Sequence, residues 1–190
     1  MKKFFVLLCF IFISSGCAEK KYFEEVVSNE RVFIVKEIIS TKEHIIVNIP
    51  LEFKFYLNSY NEVDVVFYFE IDDDRISKGE DYLIINKKNN KLIWGLKSRH
   101  DSNYPDRINI NYFYKLSDKN VEELIKKYNP KRSLADLKTN KDTIHLVSYA
   151  KFRKDNPKFL KEMRKKTDSL QLSIGFKGGK QMVVGEKIKW

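Results

Sequence analysis

The sequence predicts a mainly β fold, an antiparallel β-sandwich or a strongly curled sheet carrying two short helices, and three observations predict it. Apolar residues alternate with polar ones along Leu51 to Leu57 and Val63 to Ile71, the period of strands with one buried face. The strand-like runs are separated by clusters of Asn, Asp, Ser, Lys and Gly in hairpin order. Only two segments show the spacing of an amphipathic helix, and strands do not alternate with helices as they do in a parallel sheet. No repeat of about 20 to 50 residues is visible, which excludes solenoids and propellers.

Each element follows from local pattern. Val32 to Ile39 and Ile45 to Ile49, joined by the polar Ser40 to His44, read as a hairpin. Leu51, Phe53, Phe55 and Leu57 then alternate with Glu52, Lys54 and Tyr56, while Val63, Val65, Phe67, Phe69 and Ile71 alternate with Asp64, Val66, Tyr68 and Glu70. With Asn58 to Glu62 as the loop, Leu57 faces Val63, Phe55 faces Val65 and Phe53 faces Phe67. That pairing puts both apolar sets on one face, and a slip of one residue would turn the whole set to water. Tyr82 to Ile85 and Leu92 to Leu96 flank the turn-rich Asn86 to Lys91, and Ile108 to Lys115 reads as a further strand. Ser117 offers the cap of a helix in which Val121, Leu124, Ile125 and Tyr128 share a face until Asn129 and Pro130 stop it. Ile144 to Ala150 reads as strand. Asn156 with Pro157 makes the cap and first turn of a second helix bearing Phe159, Leu160 and Met163. Leu170 to Phe176, the turn at Gly178 and Gly179, and Gln181 to Trp190 form a terminal hairpin.

The first residues carry a different signal. Lys2 and Lys3 precede an uninterrupted apolar run of ten residues, Phe4 to Ile13, and the small Ser14, Ser15 and Gly16 lead into Cys17. Charged start, apolar middle and small-residue end are the order of a secretion signal, and ten residues are about half of the roughly 20 that a membrane-spanning helix needs. The stretch ISSGC resembles the signal peptide of a bacterial lipoprotein, with Ser14 where that family usually has Leu. The resemblance covers the leader alone. It implies cleavage between Gly16 and Cys17 and acylation of Cys17, palmitate being a typical chain, so that the membrane becomes a partner through the lipid. It also implies a lipid-anchored location in the cell envelope, with the outer membrane favoured where one exists, because Ala18 is not the aspartate associated with inner-membrane retention. The expected organisation is a signal peptide over 1–16, a lipidated cysteine and polar tether over 17–30, and a single mainly β domain over 31–190. Both cysteines of the chain, Cys9 and Cys17, fall within or at the end of the leader, so the domain has no thiol for a disulfide, a thiolate metal site or a nucleophile.

Hydrophobic residues at 43% and aromatic ones at 14% belong to a folded chain rather than a disordered one. The formal net charge of +10 falls to +8 once Lys2 and Lys3 are removed. That excess suits anionic lipid, a polyanionic glycan or an acidic protein; a nucleic acid partner is not expected. Its densest part holds Lys151, Arg153, Lys154, Lys158, Lys161, Arg164, Lys165 and Lys166 against only Asp155 and Glu162. Lys158, Lys161, Arg164 and Lys165 are the candidate binding surface, on a helix whose polar face is almost wholly cationic.

No catalytic pattern competes with this surface. Glu70, Asp72, Asp73, Asp74, Glu80 and Asp81 are dense enough in oxygen to suggest calcium, but Ile76 stands where a calcium loop wants a ligand, and an acidic loop is the expected structure. His44, His100 and His145 are scattered. His100, Asp101 and Asp106 share a loop without a nucleophile motif, and Gly178 and Gly179 between Lys177 and Lys180 lack the frame of a phosphate loop. No catalytic residue, metal site or cofactor is assigned. The expected function is therefore binding: an interaction module presented at the membrane. An immunity-type periplasmic lipoprotein that neutralises a toxic effector is one alternative, and a hydrolase of an envelope polymer is another.

Overall fold

A computed structural model describes residues 21–39, 42–56, 62–71, 74–96, 105–163 and 168–188. Its strands form two antiparallel sheets, the sandwich that the alternation predicts. Sheet A holds β1 (Phe23–Val26), β2 (Arg31–Ile39), β3 (Lys42–Phe55), β6 (Tyr82–Asn86), β7 (Lys91–Leu92), β9 (Arg107–Lys115) and β10 (Thr143–Ser148). Their order is β10-β2-β3-β9-β6-β7, with β1 also on β3. Sheet B holds β4 (Glu62–Ile71), β5 (Asp74–Arg75), β8 (Gly95–Leu96), β11 (Ser169–Phe176) and β12 (Gln181–Lys187), ordered β12-β11-β4-β5 with β8 also on β4. The helices are α1 (Asp118–Tyr128), α2 (Tyr149–Asp155) and α3 (Pro157–Met163).

The apolar sets face one core, but not as hairpin partners. Phe55 and Phe67 meet with ring centroids 5.7 Å apart across the two sheets, because β3 lies in sheet A and β4 in sheet B. The expected register of Phe53 with Phe67 is therefore overturned. β3 already has β9 along one edge and β1 with β2 along the other, so β4 has no edge to join and pairs with β11 instead. Phe69, fully buried, reaches Tyr82 at 5.4 Å and Tyr112 at 5.8 Å from the opposite sheet. Elsewhere the inner face of sheet A is covered by helices: α1 packs on β10 and β3, and Phe159 of α3 meets Tyr114 of β9 at 5.9 Å.

Three further expectations are corrected. The segment assigned to the tether contributes β1, whose Phe23 is 1% exposed and packs on Phe53 and Phe55, so the fold begins well before residue 31. A single buried residue in a four-residue strand leaves no periodicity to read. Helix α2 begins at Tyr149 and Ala150, residues expected to end a strand, so the described residues hold three α-helices rather than two. Glu52, expected to face water, is buried together with Asn48 and Asn109. β3 is a central strand, and on its outward face Asn48 lies between Phe33 of β2 and Phe113 of β9, whose rings are far longer than its own side chain. Glu52 is satisfied by Arg107 at 2.9 Å, while Asn48 Oδ1 has no hydrogen-bond partner among the described residues.

The helix from Asp118 to Tyr128 and the terminal hairpin form as the sequence predicts. The turn around Asn86 to Lys91 also forms, but the strand expected over Leu92 to Leu96 is divided: β7 ends at Leu92 on β6 of sheet A, and β8 pairs with β4 of sheet B. Cys17, Arg164, Lys165, Lys166, Asp72, Asp73, His100 and Asp101 lie outside the described residues.

Candidate functional site

The site begins with Pro50. Phe55 N–H donates to the Asp106 carbonyl and Tyr56 N–H to the Tyr22 carbonyl, so odd residues of β3 bond toward β9 and even ones toward the β1 and β2 edge. Pro50 is even, and the donor it lacks is one the β1 and β2 edge would need. The edge departs from β3 at this place. Between Val26, opposite Glu52, and Phe33, opposite Asn48, the edge spends seven residues against four on β3, so three residues loop out.

Helix α2 is built onto that loop-out. Its first N–H groups have no partner within the helix. Tyr149 N–H donates to the Glu30 carbonyl at 2.8 Å and Ala150 N–H to the Ser28 carbonyl at 3.3 Å, while Ser148 Oγ accepts the Lys151 N–H at 3.4 Å. Tyr149 and Phe152 fix the helix in the core, both fully buried. Asn156 then closes α2 and opens α3. Its N–H and its Nδ2 both reach the Phe152 carbonyl, Nδ2 also reaches the Tyr128 hydroxyl at 2.6 Å, and its carbonyl accepts the Leu160 N–H. Its Oδ1 accepts from Lys127 Nζ at 2.8 Å. Pro157 starts α3 with its φ already set for a helix. Asn156→Ala removes all the side-chain bonds at once, and we expect it to lower stability by about 1–2 kcal/mol in a urea titration. A loss no larger than that of an exposed Lys→Ala change would show that the α2 to α3 turn is held by packing alone.

Between the loop-out and the two helices lies a groove of about 600 Å³. Val27, 48% exposed, stands over it, with Ala150, Pro157 and Leu160 as the apolar floor and Arg153, Lys154 and Lys161 around it. The cations are not equivalent. Arg153 lies 3.3 Å from Glu25, a carboxylate almost wholly buried, and is held as part of the fold. Lys151 pairs with Asp155 at 2.8 Å one turn away. That hydrogen bond lowers the Asp155 pKa and raises that of Lys151. The depressed carboxylate adds stability above its unfolded pKa, lost as pH falls through the folded value; the raised lysine loses its share only at strongly alkaline pH. Lys154, Lys158 and Lys161 are exposed and have no carboxylate within ion-pair distance among the described residues.

Of the surface residues read from the sequence, the structure thus places Lys161 on the groove and Lys158 beside it on α3. Sequence reasoning missed Val27, Lys154 and Arg153 as groove residues. A proline inside a strand pattern was the available signal, since it marks where an edge must part. On the far side of the loop-out, a second cavity of about 420 Å³ is lined by Glu30, Lys87, Glu52 and Arg107, and these neutralise one another in the pairs Lys87–Glu30 and Arg107–Glu52.

The other candidates are not brought together. Glu70 accepts from Ser169 Oγ at 3.0 Å and Gln171 Nε2 at 2.8 Å, and Asp81 accepts the Ser77 N–H, so both brace strands and turns. His145 stacks edge-on against Phe33 and His44 lies opposite Glu37, at opposite ends of β2. Among the described residues no three of His, Cys, Asp and Glu converge as metal ligands would. The cavity near β12 is bounded by Lys21 to Phe23 and Val183 to Glu186 and brings no pair of carboxylates together. No helix among the described residues is long and apolar enough to cross a membrane. No known protein family, curated protein or solved structure matches this chain.

Proposed function

We propose that the protein is a lipid-anchored binding module of the bacterial envelope, tethered through Cys17, and that the groove between Val27 and helices α2 and α3 receives an acidic segment of a partner protein. The observation that carries the reading is the asymmetry of charge around the groove. Arg153 is committed to Glu25, whereas Lys154 and Lys161 at the groove and Lys158 beside it have no carboxylate partner among the described residues, next to the exposed apolar Val27 and Pro157. An apolar side chain flanked by carboxylates fits both properties, burying area on Val27 and Pro157 while its charges meet the lysines.

Converting Lys154, Lys158 and Lys161 together to Glu in the full chain tests this, because none of the three side chains lies in the core. The unfolding midpoint is expected to stay within about 0.5 kcal/mol of wild type. Capture of an acidic protein from the cognate membranes should weaken at least roughly tenfold, and the wild-type interaction should fade as salt rises to about 0.15 M, where the screening length is about 8 Å. Vesicles of phosphatidylglycerol supply the other arm. Equal loss of vesicle binding with no acidic protein captured would assign the lysines to lipid headgroups and overturn the peptide groove. An unchanged set of captured proteins would remove the groove from the function.

A further inference from the structure

Strand β12 ends sheet B with an edge that pairs with nothing among the described residues. The other edges differ: β5, β7 and β8 are two residues each, β1 is four, and β10 has its His145 carbonyl taken by Asn129 Nδ2 from beside α1. β12 is seven residues long, Gln181–Lys187. Phe176 N–H donates to the Lys180 carbonyl and Ile188 N–H to the Asp168 carbonyl, which sets the parity of the hairpin. Residues 180, 182, 184, 186 and 188 bond toward β11, so the backbone N–H and C=O groups of Gln181, Val183, Gly185 and Lys187 point away from the sheet. In the middle of that row stands Val183, 65% exposed, more than any other large apolar side chain among those described as exposed. An edge of this kind is a template for another strand.

We propose that the occupant is a second copy of this chain, paired antiparallel through β12 about a two-fold axis at Val183. The register selects itself. Centred on Val183, the two exposed valines meet each other, Met182 lies opposite Val184 of the other copy, and Lys180 lies opposite Glu186, twice by symmetry. Lys21 of the same chain lies close enough to feel the Glu186 charge, and the pairing adds a lysine from the second copy. Shifting the axis to Val184 sets Val183 against Gly185 and Lys180 against Ile188. Shifting it to Gly185 sets Val183 against Lys187, so either shift loses both the valine contact and the ion pairs. The contact uses neither the groove nor the lysines of α2 and α3, and it stands or falls separately from them.

Light scattering on the full chain in mild detergent tests the proposal. The wild type should dimerise in a concentration-dependent way. Glu186→Lys, which sets Lys180 against a lysine at both ends, should weaken the dimer about tenfold, and Lys180→Glu combined with Glu186→Lys should restore it. Val183→Pro removes an N–H that points away from β11, so it should abolish the dimer while the unfolding midpoint stays near wild type. A protein that stays monomeric up to roughly 0.1 mM, or a dimer indifferent to Val183→Pro and to the charge swap, would overturn it. A dimer lost in Glu186→Lys and not regained by the swap would also overturn this register.

Discussion

Replacing Phe69 by Ala is expected to lower the unfolding free energy by about 3–5 kcal/mol, a large share of the roughly 5–15 kcal/mol that holds a domain of this size. Phe69 is fully buried and stands at the seam of the sandwich, where one ring touches Tyr82 and Tyr112 of the other sheet. Alanine would leave a cavity bounded on one side by β11 and on the other by rings that belong to two strands of sheet A, so no single side chain can move in to fill it. The neighbouring Tyr68 is the control. It lies on the other face of the same strand, stacked beneath the Arg75 guanidinium at 4.2 Å, and its replacement by Ala removes a surface contact of about 1 kcal/mol or less. A urea titration of both variants reads the difference, with the midpoint of Phe69→Ala falling far below that of Tyr68→Ala. Equal losses would mean that β4 does not have one buried face.

That face was legible in the sequence, and the reason is physical. Val65, Phe67, Phe69 and Ile71 are buried while Val66, Tyr68 and Glu70 are not, because a period of two is imposed by the pleat and does not depend on which strand lies alongside. The same independence hid the pairing. A two-sheet core asks for apolar residues on the inner face of every strand, so Phe53 and Phe67 fit a shared hairpin and a packed sandwich equally well. What excludes the hairpin is that both edges of β3 are occupied, by β9 on one side and by β1 and β2 on the other, a fact contributed by residues far along the chain.

The groove was legible only in part for a related reason. Eight clustered cations are visible in the sequence, but which of them are free depends on long-range partners. Arg153 finds Glu25 across 128 positions, and no local pattern announces that match. Val27 looks like one more residue of a polar lead-in until the bonding parity of β3 shows that Pro50 has no donor to offer there. Once the parity is known the loop-out follows, and the N-terminus of α2 has carbonyls waiting for it. A proline in a central strand thus shapes the apolar floor beside Lys154 and Lys161, which have no carboxylate partner among the described residues.

Replacing Cys17 by Ser is expected to move the protein from the membrane to the soluble envelope fraction and to abolish palmitate labelling. In the proposed anchor the thiol of Cys17 carries the lipid, and each buried methylene contributes about 0.8 kcal/mol, so several acyl chains hold far more firmly than a single marginal one. The fold makes the tether shorter than its polar sequence suggests. Phe23 is locked in the core and the Tyr22 carbonyl accepts the Tyr56 N–H at 2.7 Å, so the chain is fixed five residues after Cys17. Five residues span at most about 18 Å, against roughly 45 Å had the whole stretch to residue 30 been free. With the proposed lipid on Cys17, the end of the sandwich bearing Lys21 and Tyr56 would be held close to the headgroups; the groove opens at the other end of β1. Membrane fractionation with metabolic palmitate labelling decides the matter. A Ser variant that stays with the membranes, beside a wild type that takes up no label, would remove the anchor and leave the location to be explained by the protein surface alone.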